Sequence, residues 1–195
     1  MSNLFTEKKE QLFYCWVDHE FFITDHNYKN GSFFSVNPLP GESEDYLMFL
    51  PNKNVANFIS PFQMRLLNSY MTEYNLELYR RQYLSSYPSR LTAVFLFESE
   101  TDANKYKDRS FEHVGKRVLR EVRATIMVKY SKHDSSWIDF LRLGGAIDIK
   151  TINECCKCYW EGITVEKCSL EHFGKGWSED PIFEILYLGR VDFVN

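Results

Sequence analysis

The sequence predicts an α+β fold in a single domain. Segments typical of strands and of helices follow one another without the strict alternation that a doubly wound sheet requires. The chain has 195 residues, the length of one domain, and 44% of them are hydrophobic, which is enough for a core. We therefore expect one α+β domain over residues 1–195.

Aromatic and β-branched runs predict short strands near the N-terminus. Residues 11–17, 21–23 and 32–36 have this composition, and Asn30-Gly31 between the last two predicts a turn. Residues 37–56 are rich in proline and asparagine and predict a loop.

A long helix is predicted after this loop. Ser60-Pro61-Phe62-Gln63 has the residue types of a helix start, with a capping serine, a proline at the first helical position and a glutamine that closes a capping box. Large apolar or aromatic residues then recur every four positions, so the helix should extend to about Tyr83.

The second half of the chain predicts further strands and helices. The run 91–97 is apolar on both alternating faces and predicts a buried strand, after which Ser99 is a candidate helix N-cap. The remaining predicted elements are a strand at 118–130, a short helix capped by Asp134 or Ser135, a helix that begins with a capping box at Thr151 and ends near Trp160, and a strand at 181–194.

Charge and cysteine content restrict the functional classes. The net charge is -4, so the chain as a whole has no general attraction for nucleic acid or membranes, and no apolar run reaches the roughly 20 residues of a membrane span. Five cysteines without an export signal predict reduced thiols in the cytoplasm. Residues 116–132 are an exception, because six basic residues oppose one acid there. A solvated strand face is the simplest interpretation, and a nucleic-acid-binding strip is the alternative.

Glu184 is the candidate catalytic residue. It lies in an otherwise almost apolar strand, where a carboxylate is costly unless it is paired or used in chemistry. The alternative is a structural glutamate that faces water at the end of the sheet.

Arginines near the end of the long helix and at Arg90 are candidates for binding a phosphate. The guanidinium group matches phosphate geometry, so Arg80 or Arg81 could join Arg90 around one anion. The simpler interpretation is an exposed i, i+4 salt bridge between Glu77 and Arg81.

Three cysteines at 155, 156 and 158 do not have the spacing of a zinc site. Neighbouring helical residues diverge by about 100° and no second C-x-x-C pair follows, so buried packing thiols are the favoured interpretation and no metal is expected.

Three blocks together resemble a poorly characterised bacterial and phage family within the ADP-ribosyltransferase superfamily. The first runs from Glu77-x-x-Arg80 through Tyr87-Pro88-Ser89-Arg90 to the strand Phe95-Leu96-Phe97-Glu98-Ser99. The second is Tyr159-Trp160-Glu161-Gly162, and the third is Pro181-Ile182-Phe183-Glu184-Ile185-Leu186-x-x-Gly189. They cover roughly the central and C-terminal two thirds of the chain.

The resemblance implies a split β-sandwich with flanking helices that binds NAD as a substrate in its cleft. It assigns Glu184 the catalytic role and places Cys15 where relatives carry a histidine. The residues that it implies for NAD binding are Tyr14, Cys15, Arg81, Ser89, Arg90, Phe95 and Trp160.

The function expected from the resemblance is transfer of ADP-ribose to a macromolecular acceptor, either protein or nucleic acid. Such an enzyme would be a toxin, a phage-encoded modifier or a defence effector in the cytoplasm, and a partner protein could neutralise it. Two alternatives stay open: a catalytically degenerate binding module, motivated by Cys15, and a nucleic-acid-binding protein that uses the strip 116–132.

Overall fold

The computed structural model describes residues 3–6, 11–35, 61–143, 149–167 and 180–194, and divides the chain into two compact units. Unit 1 comprises residues 1–36, 87–133 and 182–195, and unit 2 comprises residues 37–86 and 134–181. The combination of one antiparallel sheet with several helices confirms the predicted α+β class. A single domain over 1–195 stays a prediction.

Unit 1 contains the sheet and three helices. The strands are β1 Leu4–Phe5, β2 Leu12–Val17, β3 Ser32–Phe34, β4 Val94–Leu96, β5 Val118–Asp134, whose last residue is assigned to unit 2, and β6 Phe183–Phe193. The helices are α1 Phe22–Lys29, α3 Glu100–Arg109 and α4 Phe111–Val114.

Two long strands organise this sheet. β5 and β6 are neighbours; β1 and β2 pair with β5, while β3 and β4 pair with β6. Tyr14 in β2 and Phe97, just after β4, exchange backbone hydrogen bonds of 2.8 and 2.7 Å. The pairing therefore closes a ring from β2 through β5, β6 and β4 back to β2.

Side-chain alternation gives the sheet two faces. One face, here called the core face, contributes a buried apolar cluster that consists of Phe13, Cys15, Val17, Leu96, Val122, Ala124, Tyr130, Ile185, Tyr187 and Val191. The opposite face contributes Tyr14, Trp16, Phe97 and Ile182, which pack with Ala103 and Tyr106 of α3. Residues adjacent in a strand point to different faces, so the position in the strand decides which surroundings a side chain meets.

The predicted strand at residues 21–23 is wrong, because Phe22 and Ile23 lie in α1. The Asp18 carboxylate accepts the backbone N–H groups of Glu20 and Phe21 at 2.9 and 3.2 Å. This local turn precedes the helix and directs the chain into it. The three consecutive apolar residues do not show the spacing of a helix, so the sequence pattern alone did not predict one.

The strand predicted at 91–97 is shorter and less buried than expected. The carbonyl of Ser89 accepts the N–H groups of Thr92 and Ala93 at 3.2 and 2.9 Å, so a turn occupies the start of the apolar run. β4 therefore begins only at Val94, and Phe95 is 41% exposed. The predicted cap that follows is confirmed, since the Ser99 hydroxyl accepts the N–H of Asp102 at 3.0 Å.

The described part of unit 2 consists mainly of helices, namely α2 Pro61–Tyr83, α5 Ser136–Leu143 and α6 Ile149–Glu161. The extent of α2 and the short helix after Asp134 are confirmed, and Asp134 accepts the N–H of Ser136 at 3.0 Å. The helix start at Thr151 is wrong, because α6 already begins at Ile149. The predicted loop at 37–56 and the cap at Ser60 lie outside the described residues.

Among the helices that the structure describes, none has both the length and the apolar character that a membrane span requires.

Candidate functional site

Glu184 and Arg90 form a buried ion pair in unit 1. Their side chains are 7% and 6% exposed, and Arg90 Nη1 donates to Glu184 Oε1. Glu184 is the second residue of β6 and is followed by the fully buried Ile185, Leu186 and Tyr187. The expectation that a structural Glu184 would face water is therefore wrong, because the carboxylate is removed from solvent; the choice between a structural and a catalytic role stays a prediction.

The turn before β4 places Arg90 against this carboxylate. Pro88 and Ser89 are buried, and the Ser89 hydroxyl accepts the N–H of Leu91 at 3.2 Å. The Arg90 guanidinium lies 4.9 Å from the centre of the Phe95 ring, at cation–π distance. Arg90 is thus held between the Phe95 ring and the Glu184 carboxylate, which are both candidate site residues predicted from the sequence.

Tyr14 lies on the same face of the sheet as Glu184. Tyr14 pairs with Phe97, and extending the β4–β6 register by one residue places Phe97 opposite Glu184. Directly paired residues share a face, and Glu184 is two residues from Ile182 of the same face. The structure therefore arranges Tyr14, Arg90, Phe95 and Glu184 around adjoining strands, with Ser89 in the turn beside them.

Cys15 lies on the core face, away from the face of Tyr14 and Glu184. Its side chain belongs to the buried cluster with Phe13 and Val17. Burial raises the pKa of the Cys15 thiol to about 12, although the nearby Arg120 charge acts in the opposite direction. The thiol is therefore neutral at physiological pH and poorly suited to act as a nucleophile.

The remaining candidates, Arg81 and Trp160, belong to unit 2. Arg81 is exposed near the end of α2, whereas Trp160 is fully buried and donates from Nε1 to the carbonyl of Leu76 at 2.7 Å. Trp160 also packs edge-on against Tyr159. In the structure, Trp160 joins α6 to α2 in the core of this unit.

Glu77 forms a buried ion pair with Arg80, and the predicted salt bridge between Glu77 and Arg81 stays a prediction. Arg80 donates from Nε and Nη2 to the two Glu77 oxygens at 3.0 and 2.7 Å, and from Nη1 to the carbonyl of Ser85 at 3.0 Å. The pair is almost fully buried. It is oriented by the helix itself and forms a second buried arginine–carboxylate pair, independent of the one in unit 1.

Sequence reasoning missed a buried polar network around His133. His133 Nε2 lies 2.7 Å from the Ser131 hydroxyl, and Nδ1 lies 3.2 Å from Asn3 Nδ2. Asn3 also donates to the Lys132 carbonyl at 2.8 Å and accepts from Tyr87 at 2.8 Å. Alternation along β5 could have paired Ser131 with His133, but Asn3 lies far away in the sequence and no local pattern indicates it.

The hydrogen bonds of Asn3 fix the tautomer of His133. Because the Asn3 amide nitrogen is the donor to the Lys132 carbonyl, it also donates to Nδ1, and the ring proton lies on Nε2. In that state Nε2 donates to Ser131 and cannot remove its proton. The network ties Asn3, just before β1, to the end of β5.

Three of the six basic residues in the strip 116–132 contact carboxylates. Lys116 contacts Glu20 at 2.9 Å, Arg117 contacts Asp18 at 3.7 Å, and Lys132 contacts Glu98 at 2.5 Å. The segment forms most of β5, as predicted, but these pairs reduce the positive potential that phosphate binding requires.

The described cysteines, 15, 155, 156 and 158, are buried free thiols. Burial raises the pKa of Cys156 to about 12. Within the described ranges, no cluster of three or more histidine, cysteine, aspartate or glutamate side chains could hold a metal ion. The fifth cysteine, Cys168, lies outside those ranges.

Comparison with known proteins identifies one family. The family described as "Protein of unknown function (DUF2441)" matches residues 5–176, so the chain belongs to it. A search of curated proteins finds no match to the chain.

Proposed function

For this member of the DUF2441 family, we propose an ADP-ribosyltransferase-like fold and activity, with Glu184 as the catalytic carboxylate and NAD as the substrate. The observation that carries the proposal is the buried Arg90–Glu184 pair on the face that also presents Tyr14 and Phe95. A carboxylate removed from water and fixed by a cation is typical of functional sites as well as of structural pairs. The resemblance of the flanking blocks favours the functional interpretation.

The proposed reaction needs one oriented carboxylate. The bond between nicotinamide and ribose C1′ breaks, nicotinamide leaves with the bonding electrons, and positive charge develops on the ribose. Glu184 accepts a hydrogen bond from a ribose hydroxyl and stabilises that charge as it develops. A nucleophile of the acceptor then bonds to C1′ and loses its proton.

Arg90 acts in this proposal as a positioning residue. Its guanidinium is engaged by Glu184 and lies over Phe95, so it orients the carboxylate instead of holding the pyrophosphate. Phe95, at 41% exposure, and the half-buried Tyr14 offer aromatic surface against which a flat nicotinamide ring can stack. Ser89 holds the turn that carries Arg90.

The acceptor is a macromolecule, and the charge distribution favours a protein. Three cations of the strip 116–132 already have carboxylate partners, which lowers its attraction for phosphates. We propose further that the protein is a cytoplasmic effector or toxin and that a partner protein neutralises it, because such an activity has to be controlled in the cell that makes it.

Transfer of label from NAD to a cell lysate tests this function. The wild-type chain should label an acceptor, and Glu184→Gln should lower the labelling by about 100-fold or more, the order found when one stabilising group is lost from a reacting centre. Glu77→Gln is the matched control, since it disrupts the other buried arginine–carboxylate pair. Each variant is assayed below its own melting temperature. Equal labelling by wild type and Glu184→Gln contradicts the proposal.

A binding module without catalysis is the second candidate. It is favoured by the placement of Cys15. The resemblance implies that relatives carry a ligand-binding histidine at this position, whereas the Cys15 side chain is buried on the core face. Calorimetry separates the two candidates: heat of NAD binding supports the enzyme, whereas no binding at millimolar NAD supports a module that recognises another partner.

A further inference from the structure

We propose that Arg120 is the centre of an oxyanion-binding site on the core face of unit 1, separate from the face of Glu184. Arg120 lies in β5, directly opposite Cys15 of β2. It is two residues from Val122 in the same strand, so its side chain is on the same face as Val122 and Cys15, which both belong to the core cluster. The site would take a small phosphate or carboxylate group. It goes beyond the proposed transferase function and does not depend on it.

The first observation is an arginine nitrogen without an acceptor. Nε of Arg120 is buried and finds no hydrogen-bond partner within the described ranges, and Nη1 reaches only the carbonyl of the preceding Leu119 at 3.5 Å. Buried donors are almost always paired in native proteins, with protein groups, ordered water or a ligand, so Arg120 Nε calls for an acceptor other than the described protein atoms. Nε and the terminal nitrogens of arginine donate in one plane, in the geometry that two oxygens of a carboxylate or phosphate satisfy.

The second observation is that the neighbours of Arg120 do not neutralise its charge. The guanidinium lies 5.3 Å from the centre of the Tyr28 ring, and Tyr28 packs in turn against Phe193 and His19 at 4.8 Å each. The Cys15 thiol is close enough to feel the charge, but its pKa of about 12 keeps it neutral. An aromatic ring and a neutral thiol leave a half-buried cation without a counter-ion.

Several other cations among the described residues, unlike Arg120, have a carboxylate partner. Arg142 also has a buried Nε without an acceptor, but it contacts Glu73 at 3.3 Å. Arg117 and Lys116, in the segment before Arg120, contact Asp18 and Glu20. For Arg120 no carboxylate partner occurs among the described residues, and the ligand that we infer would supply one.

Arginine side-chain NMR tests the site with inorganic phosphate and with acetate at constant ionic strength. The Arg120 Nε–H signal is assigned by its loss in Arg120→Met. We expect this signal to shift saturably with at least one of the two anions, and the arm that saturates identifies the phosphate or the carboxylate class. Sodium chloride should give no saturable shift.

Thermal unfolding supplies an independent readout and a matched control. The saturating anion should raise the melting temperature of the wild type, because a ligand that binds only the folded state stabilises it. That rise should be lost in Arg120→Met and kept in Arg123→Met, which removes an equal charge from an exposed position of the same strand. An adventitious ion only, meaning no saturable shift of Arg120 Nε–H or an equal rise in all three proteins, overturns the proposal.

Discussion

Arg90 and Glu184 are the residues on which the functional account depends. Burial of both charges is costly, and their mutual attraction offsets that cost only while both are present. Removal of one partner leaves an uncompensated charge in a buried position, whatever the chemistry of the site. Stability and catalysis therefore have to be measured separately at these two positions.

Double-mutant cycles should distinguish this pair from a more exposed one. We expect the cycle of Arg90→Met with Glu184→Gln to give a coupling of about 1–3 kcal/mol, the upper part of the range for groups in direct contact. The cycle of Lys132→Met with Glu98→Gln should give less than about 1 kcal/mol, because both side chains are about 30% exposed. The free energies of unfolding come from urea titrations. Equal coupling in the two cycles would contradict the burial of the Arg90–Glu184 pair.

Stability should fall at alkaline pH because of three buried acids. Burial raises the pKa values of Cys15, Cys156 and Tyr187 to about 12, above the ordinary values of 9.0 for the thiols and 10.0 for the phenol. Above pH 9 the unfolded chain releases protons that the folded chain keeps, so stability is fully present below pH 9 and is lost toward pH 12. Each group contributes a slope of about 1.4 kcal/mol per pH unit within its own window.

Urea unfolding between pH 8 and 10.5 measures this slope. Cys15→Ala with Cys156→Ala should reduce the slope above pH 9, although the cavities lower stability at every pH. A slope above pH 9 that is identical with and without the two thiols would show that they ionise equally in both states.

At the scale of elements, β6 depends on a glycine in its middle. Gly189 has φ +150°, and a Cβ built there would lie 2.0 Å from the Ile126 carbonyl oxygen of β5. The two strands approach so closely that only a hydrogen atom fits between them. β6 continues without a break through Gly189 to Phe193, within the strand predicted at 181–194.

Gly189→Ala should therefore destabilise unit 1 more than another left-handed glycine does. We expect a loss of roughly 3 kcal/mol or more for Gly189→Ala, since backbone strain and a backbone clash add. Gly31→Ala is the control, because Gly31 has φ +79° and nothing within 4 Å of its built Cβ, so only the strain of about 1–2 kcal/mol applies. Equal losses in urea unfolding would mean that β5 and β6 can move apart at this point.

Elements with a local signal were predictable, and those set by distant partners were not. The Ser99 cap, α2 and β6 follow from capping residues and periodicity within their own segments. The prediction of a strand at residues 21–23 was wrong because the preceding turn at Asp18, and not the apolar run itself, determines the conformation.

The candidate site shows the same division. The residue type and apolar surroundings indicated Glu184, and Arg90 was predicted as a phosphate-binding residue. Their contact joins residues 94 positions apart. Spacing also could not decide that Cys15 faces the core or that Trp160 is a buried residue of unit 2, because both depend on tertiary packing.

At the scale of the whole molecule, the net charge and the division into two units restrict which functions the chain can have. The net charge of -4 and the paired cations of the strip argue against general binding to nucleic acid. Unit 1 contains Tyr14, Ser89, Arg90, Phe95 and Glu184, so the proposed catalytic group and most of the proposed ligand contacts belong to one compact unit. Arg81 and Trp160 belong to the other.

Release of nicotinamide from NAD tests the central claim most directly. We predict that the wild-type chain releases nicotinamide when a lysate supplies the acceptor. Glu184→Gln should lower the rate of release by about 100-fold or more, whereas Glu77→Gln should keep a rate comparable to the wild type. A Glu184→Gln rate equal to the wild-type rate, or no release by the folded wild-type chain, would contradict the account.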